Sequence, residues 1–164
     1  MKLTTIVSGG QTGVDRAALD VASARGFATG GWVPLGRRAE DGVIADRYAG
    51  LRESGSADPA VRTALNVRDA DATLIFSRGP LTGGSRLTLD EARRRRRPVL
   101  HLDLAALDPE TAVARLRQWL LGVDPAVLNV AGPRASHDPG IGALAAEVLD
   151  RALVPMADVD GAGV

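Results

Sequence analysis

The sequence predicts an α/β fold: a doubly wound, mostly parallel five-stranded sheet with helices on both faces. Three observations carry this. Short β-branched or apolar runs alternate with segments of helical spacing along the whole chain. The 164 residues suit one domain with one core. Glycine clusters recur immediately after the apolar runs, where strand-to-helix turns of such folds lie.

The elements follow in order. Leu3 to Ser8 reads as a first strand, β-branched from Thr4 to Val7 and stopped by Gly9-Gly10. Thr12 is placed to cap a helix, with Asp15 as its capping-box partner. Ala17, Ala18, Val21 and Ala22 recur at helical spacing, and Arg25-Gly26 ends the helix. Phe27 to Val33 is a short second strand. Pro34 to Asp46 is a long polar loop of the kind that often carries function. Tyr48 to Ser56 shows no clear period. Asp58-Pro59 opens a second helix, with Asp as cap and Pro in the first turn. Ala72 to Phe76 has the length of a buried strand. Ser77 to Gly84 is a second Gly-rich loop, followed by a helix from Leu87 to Arg96. A strand at Pro98 to Leu102, a helix at Pro109 to Leu121, a last strand at Ala126 to Ala131 and a closing helix at Gly142 to Leu153 complete a Rossmann-like pattern. Residues 1–154 are read as one ligand-binding domain and 155–164 as a frayed tail.

Composition narrows the chemistry. The formal net charge is zero, so nothing global argues for nucleic acid or an anionic membrane. No apolar run approaches membrane-spanning length, and the apolar run at the N-terminus is too short for a signal peptide, so a cytoplasmic location is expected. The chain has no Cys, which removes disulfides, thiolate metal sites and thiol nucleophiles. His101 and His137 are the only histidines, so no multi-His metal site and no catalytic metal is expected. Of 20 basic residues only Lys2 is lysine, and arginine suits bidentate phosphate binding.

Ligands of doubly wound folds bind beyond the carboxyl ends of the strands. There the chain places Ser8-Gly9-Gly10-Gln11-Thr12-Gly13, then Arg37 and Arg38 in the long loop, Gly83-Gly84-Ser85, and Gly132-Pro133-Arg134. Glycines let the backbone approach a ligand, and the helix starts beyond them offer free N–H groups and a positive dipole end to an anion. The other reading of these glycines is tight turns alone. No Gly-Lys-Ser/Thr ends the first loop, so it is not a P-loop. No Gly-x-Gly-x-x-Gly is present, and Gly30-Gly31-Trp32 stands where a ribose-binding acid belongs, which disfavours a nicotinamide enzyme. Arg37, Arg38 and Arg134 either neutralise an anion or are solvated. Trp32 either stacks on a ligand ring or packs in the core. Glu40 and Asp41 are acid–base groups, metal ligands or a polar turn. Asp15 caps its helix or acts in catalysis. The all-Arg segment Arg93–Arg97 either serves nuclear import or nucleic-acid binding or, the stronger reading, closes a helix, where cations are favourable.

Together the blocks resemble the molybdenum cofactor carrier proteins. The resemblance rests on Gly9-Gly10-Gln11-Thr12-Gly13-Val14-Asp15-Arg16-Ala17, Gly31-Trp32-Val33-Pro34-Leu35-Gly36-Arg37-Arg38-Ala39-Glu40-Asp41-Gly42, and Arg62-Thr63 with Asn66-Val67-Arg68-Asp69-Ala70-Asp71. Gly83-Gly84-Ser85 with Thr88, and Asn129-Val130-Ala131-Gly132-Pro133-Arg134-Ala135-Ser136, complete it. The resemblance spans Ile6 to Leu149. It implies a Rossmann-like fold of the superfamily that includes the Lonely Guy phosphoribohydrolases, a homo-oligomer (dimer or tetramer), and binding of molybdenum cofactor or molybdate for an unidentified molybdoenzyme recipient. The binding candidates are Gly9, Gly10, Gln11, Thr12, Gly13, Trp32, Arg37, Arg38, Gly83, Gly84, Ser85, Thr88, Gly132, Pro133 and Arg134. The enzymes of that superfamily carry Pro-Gly-Gly-x-Gly-Thr-x-x-Glu. Here Thr82-Gly83-Gly84-Ser85-Arg86-Leu87-Thr88-Leu89-Asp90 lacks the Pro, the third Gly and the Glu, with Asp90 in the Glu register. A carrier that holds a small anionic ligand is therefore expected, with no catalytic residue assigned. An N-glycosidic hydrolase of nucleotides and a nucleotide-sensing module are the alternatives.

Overall fold

The computed structural model describes residues 1–154, and the tail expected at 155–164 lies outside the described residues. The elements run β1 (Thr5–Val7), α1 (Val14–Ala24), β2 (Ala28–Val33), β3 (Arg38–Ala39), β4 (Gly42–Val43), β5 (Leu51–Glu53), α2 (Pro59–Asp69), β6 (Ala72–Ser77), α3 (Gly83–Arg94), β7 (Val99–Asp103), α4 (Pro109–Val123), β8 (Val127–Ala131) and α5 (Ile141–Ala152). The main sheet has the order β5-β2-β1-β8-β6-β7, and every pairing in it is parallel.

The sheet has six strands, not the five expected. The extra one is β5, inside the stretch without period. Only Leu51 of its residues is part-buried, so an edge strand of this kind leaves no alternation to read. Its pairing is set by neighbouring backbone: Gly31 stands opposite Leu51, and Gly50 turns at φ 78, where a Cβ would lie 2.2 Å from Thr29 O. The long loop also holds a small antiparallel hairpin, with Arg38 opposite Val43 and Glu40-Asp41 at its tip.

The two faces of the sheet differ. On one, α1, α4 and α5 bury Val14, Ala18, Leu116, Leu120, Ile141, Val148 and Leu149 against Ile6, Leu74, Phe76, Leu102, Leu128 and Val130. Each such side chain contributes about 1.5–3 kcal/mol on full burial. Alternation puts the intervening residues Thr73, Ile75 and Ser77 of β6 and Asn129 of β8 on the opposite face, beside α2 and α3. That face is rich in buried polar groups, including Thr63, Asn66, Thr88 and Ser85. Leu19, Val33, Ile44 and Tyr48 form a smaller apolar cluster that anchors the long loop.

Helix starts explain the placement of the polar face. Asp58 caps α2 as expected, accepting from Ala60 N at 2.9 Å ahead of Pro59. α1 begins one residue later than the Thr12 cap implied: its cap is Gly13 at φ 79, with no side-chain capping bond. Thr12 is drawn away to other partners. α3 begins at Gly83 rather than Leu87, capped by Thr82 without a side-chain bond, so the Gly-rich segment is itself the first turn.

Candidate functional site

At the carboxyl ends of β1, β6 and β8 the structure opens a cleft of 660 Å³, within the usual range for small-ligand sites. β8 slots between β1 and β6, so the cleft sits where the strand order reverses. Of the expected binding residues, Gln11, Gly83, Gly84, Ser85, Thr88, Gly132, Pro133 and Arg134 line it. Gly9 lines a small recess beside it, with Arg62 and Asn129. Gly10, Thr12, Gly13, Trp32, Arg37 and Arg38 do not line the cleft.

The floor is made by α2. Arg62 reaches under the first loop, and Gly9 is the reason it can. A Cβ at Gly9 would lie 2.0 Å from Arg62 Nη1 and 2.8 Å from Asp15 Oδ2. The Arg62 guanidinium faces the Asp15 carboxylate at 3.8 Å, with side chains 13% and 5% exposed. Arg62 Nε is buried without a hydrogen-bond partner. Burial pushes the Asp15 carboxyl up, opposed by Arg62, by the Gln11 N–H and by Arg134. Burial pulls Arg62 down, opposed by Asp15. The guanidinium stays charged regardless. A buried cation with an orphaned donor needs an acceptor.

One wall is the start of α3. The first backbone bond there is Arg86 N to Thr82 O, so the amides of Gly83, Gly84 and Ser85 have no acceptor among the described residues. Across from it stands Arg134, half-buried, whose guanidinium makes no ion pair among the described residues and whose charge reaches Asp15, Arg62 and Glu40. Farther out, Arg78 and Asp138 pair through two hydrogen bonds, Nε donating at 2.8 Å, and join the loops after β6 and β8. At the end of β6, Ser77 Oγ sits 2.6 Å from His101 Nε2 and 2.7 Å from Gly79 O, and burial pulls the His101 pKa down. Asp103 accepts from Gly79 N at 2.8 Å, so this cluster fixes the start of the β6–α3 loop.

The first glycine loop is partly self-engaged. Gly10 N donates to Ser8 Oγ, Gln11 N to Asp15 Oδ2 and Val14 N to Pro133 O. Its glycines admit neighbours instead. Gly10 faces Ile44 and Val33, and a Cβ at Gly13 would lie 2.4 Å from Pro133 O. Gly132 in turn admits Val14, at 2.5 Å from its would-be Cβ.

The hairpin is fastened over this loop. Glu40 accepts from Thr12 Oγ1, Ser136 Oγ and Ser136 N, which hold its carboxyl below the usual range. Arg16 grips Asp41 with two hydrogen bonds, and Gln11 Nε2 donates to Arg38 O at 3.1 Å. Glu40 and Asp41 are thus latches. Arg37 donates to the carbonyls of Ile44 and Ala45, holding the loop's own backbone. Trp32 sits on the far flank, its Nε1 donating to Asp69 and its ring under Arg52 at 4.4 Å. Asp90 is about half exposed, pairs with Arg86 at 3.1 Å and stays off the cleft. Within the arginine run, Arg94 and Arg95 pair with Glu91, and Arg97 donates to Arg68 O.

Among the described residues no group of three or more His, Cys, Asp or Glu is placed to hold a metal ion, and no helix is long and apolar enough to cross a membrane. The residue that sequence reasoning missed as a binding group is Arg62. Its signal was the helical spacing of Arg62, Thr63, Asn66 and Val67, which puts polar groups on a face that should be apolar.

Comparison with known proteins finds likeness along almost the whole described chain. The family model of the circularly permutated YpsA SLOG family matches residues 6–153. A crystal structure from Syntrophus aciditrophicus SB, named "Putative molybdenum carrier protein", is 44% identical, covers 93% of this chain and 96% of its own, and superposes with a TM-score of 0.91. No curated protein matches the chain.

Proposed function

We propose, from the premise that this chain belongs to the circularly permutated YpsA SLOG family, that residues 1–154 form one domain that binds and carries molybdenum cofactor, held by its phosphate in the cleft. One observation carries the reading: Arg62, buried in the cleft floor with its Nε unpartnered. An oxyanion at this point takes hydrogen bonds from Arg62, from the amides of Gly83, Gly84 and Ser85, and from Arg134. The cleft volume leaves room for a fused-ring body beyond the phosphate. The name of the Syntrophus structure speaks of a molybdenum carrier, which agrees with a molybdenum-containing cargo. In this reading the first glycine loop shapes the floor, and the donors come from α2, α3 and the β8–α5 loop. Trp32, Arg37 and Arg38 act on the loop and the flank rather than on the cargo.

The hydrolase alternative needs Asp90 or Glu40 facing the cleft, but Asp90 lies outside it, paired with Arg86, and Glu40 lies outside it too, held by Ser136 and Thr12. A homo-oligomer that delivers cargo to a molybdoenzyme remains part of the proposal, to be checked by sedimentation of the purified chain.

The test is calorimetric titration of the purified protein with molybdenum cofactor under anaerobic conditions. Wild type binds saturably. Arg62→Gln and Arg134→Ala each weaken binding by about tenfold or more, since a hydrogen bond to a charged group contributes about 1.5–3 kcal/mol. Absence of saturable binding, or variants indistinguishable from wild type, rejects the reading.

A further inference from the structure

The cations of the cleft surround one carboxylate. Asp15 is 3% exposed and lines the cleft floor. Its Oδ2 accepts from Gln11 N at 3.2 Å, while its Oδ1 accepts no hydrogen bond from the described residues. The charges that bear on it are Arg62 on α2, Arg134 after β8 and Arg16 on α1. Arg16 is held by Asp41. Arg62 and Arg134 exceed Asp15 by one formal positive charge at this point, while farther out Arg78 pairs with Asp138 and Asp58 caps α2.

An ionised carboxylate only accepts hydrogen bonds. A ligand oxygen placed against Asp15 therefore needs a proton, or Asp15 must take one from solvent. A phosphate monoester has a second pKa of about 6, so near neutrality it can bring that proton itself. Sulfate and molybdate are fully ionised there and meet the carboxylate as like charges. Discrimination by an opposed charge is a general device of specific sites.

We infer that Asp15 makes this cleft select a singly protonated phosphate group over fully ionised tetrahedral dianions, so that the chain holds the phosphate end of its cargo and discriminates against bare molybdate. The inference rests on the anion-binding cleft proposed above. Burial of Asp15 works in the same direction, because it favours a proton kept between the carboxyl and its neighbour.

Inorganic phosphate, sulfate and molybdate are titrated calorimetrically into the full chain at about pH 6, where a large share of the phosphate keeps its proton. Phosphate binds about tenfold tighter than either dianion, or more. Repeating the titrations in two buffers of different ionisation enthalpy shows sulfate and molybdate taking up about one proton on binding, and phosphate fewer. Asp15→Asn can donate to an unprotonated oxygen, and it brings the three anions to within about twofold of one another. Equal affinities in the wild-type protein, or dianion binding without proton uptake, overturn the selection and leave the anion cleft standing. No saturable binding of any of the three overturns both. If Asp15→Asn fails to fold, the wild-type ratios and proton counts decide alone.

Discussion

Replacing Gly9 by alanine would set a methyl carbon 2.0 Å from Arg62 Nη1, and the guanidinium would have to leave the floor. Gly9→Ala is therefore expected to reduce anion binding about as much as Arg62→Gln, while costing about 1–3 kcal/mol of stability as overpacking. Chemical denaturation beside calorimetry separates the two effects. Binding retained at wild-type strength would show that Arg62 is not the floor. The glycines of the first loop were visible in the sequence, but their purpose was not. A Gly-rich turn before a helix suggests amides for an anion. The amides of Gly10, Gln11 and Val14 are engaged within the protein, and the free amides that line the cleft wall lie at Gly83 to Ser85. Arg62 escaped notice because its helical spacing marks only a polar face: its importance comes from a contact with Asp15, far away in sequence.

At the scale of elements, α3 has its free amides at one end and its arginines at the other. Its C-terminus folds back with Arg96 N bonded to Arg93 O and Arg97 N to Ala92 O, leaving Arg96 at φ 54. Glycine normally occupies that left-handed position. Arg96→Gly is expected to stabilise the protein by about 1 kcal/mol, raising the melting temperature by about 2–4 °C, with anion binding unchanged because the site is at the other end of the helix. The β3–β4 hairpin is an element of another kind, held by polar latches rather than apolar packing. The Glu40 carboxyl has a lowered pKa in the folded chain. Its latch is complete above the unfolded carboxylate range and is lost as pH falls through the folded value. The protection factor of Ile44 N, which bonds Arg37 O, should fall with acidification in that window, and Glu40→Ala should show the low protection at neutral pH. Unchanged protection in the variant would mean that the latch does not hold the hairpin. The long loop and its polar character could be read from sequence. The hairpin and β5 could not, since two- and three-residue strands have no period and owe their existence to Gly31, Gly50 and the neighbouring strand.

Taken whole, the molecule is a parallel sheet with one apolar and one polar side. The alternation of strands and helices was evident in the sequence because the apolar side imposes it on β6, β8, α4 and α5. The polar side was not, because its residues come from separate helices that only the strand order brings together. The two sides should respond differently to truncation. Leu149→Ala, at a site 0% exposed, is expected to cost about 2–5 kcal/mol, whereas Arg134→Ala should leave urea denaturation nearly unchanged and affect binding alone. Asp15 links the sides to pH. Burial raises its pKa above the ordinary carboxylate value on folding, so its contribution is full below that ordinary value and is lost as pH rises through the folded one. Relative to Asp15→Asn, wild type should lose stability over that climb, read from denaturation midpoints across pH. The position of β8 carries a last consequence, for the order in which the chain is made. β1 pairs on one side with β2 and on the other with β8, which also pairs with β6. During synthesis β1, β2 and β5 emerge as one half-sheet and β6 and β7 as another, each with a bare edge, until β8 arrives to join them. A nascent chain halted before Val127 is thus expected to have no cleft and to present two sticky borders to chaperones.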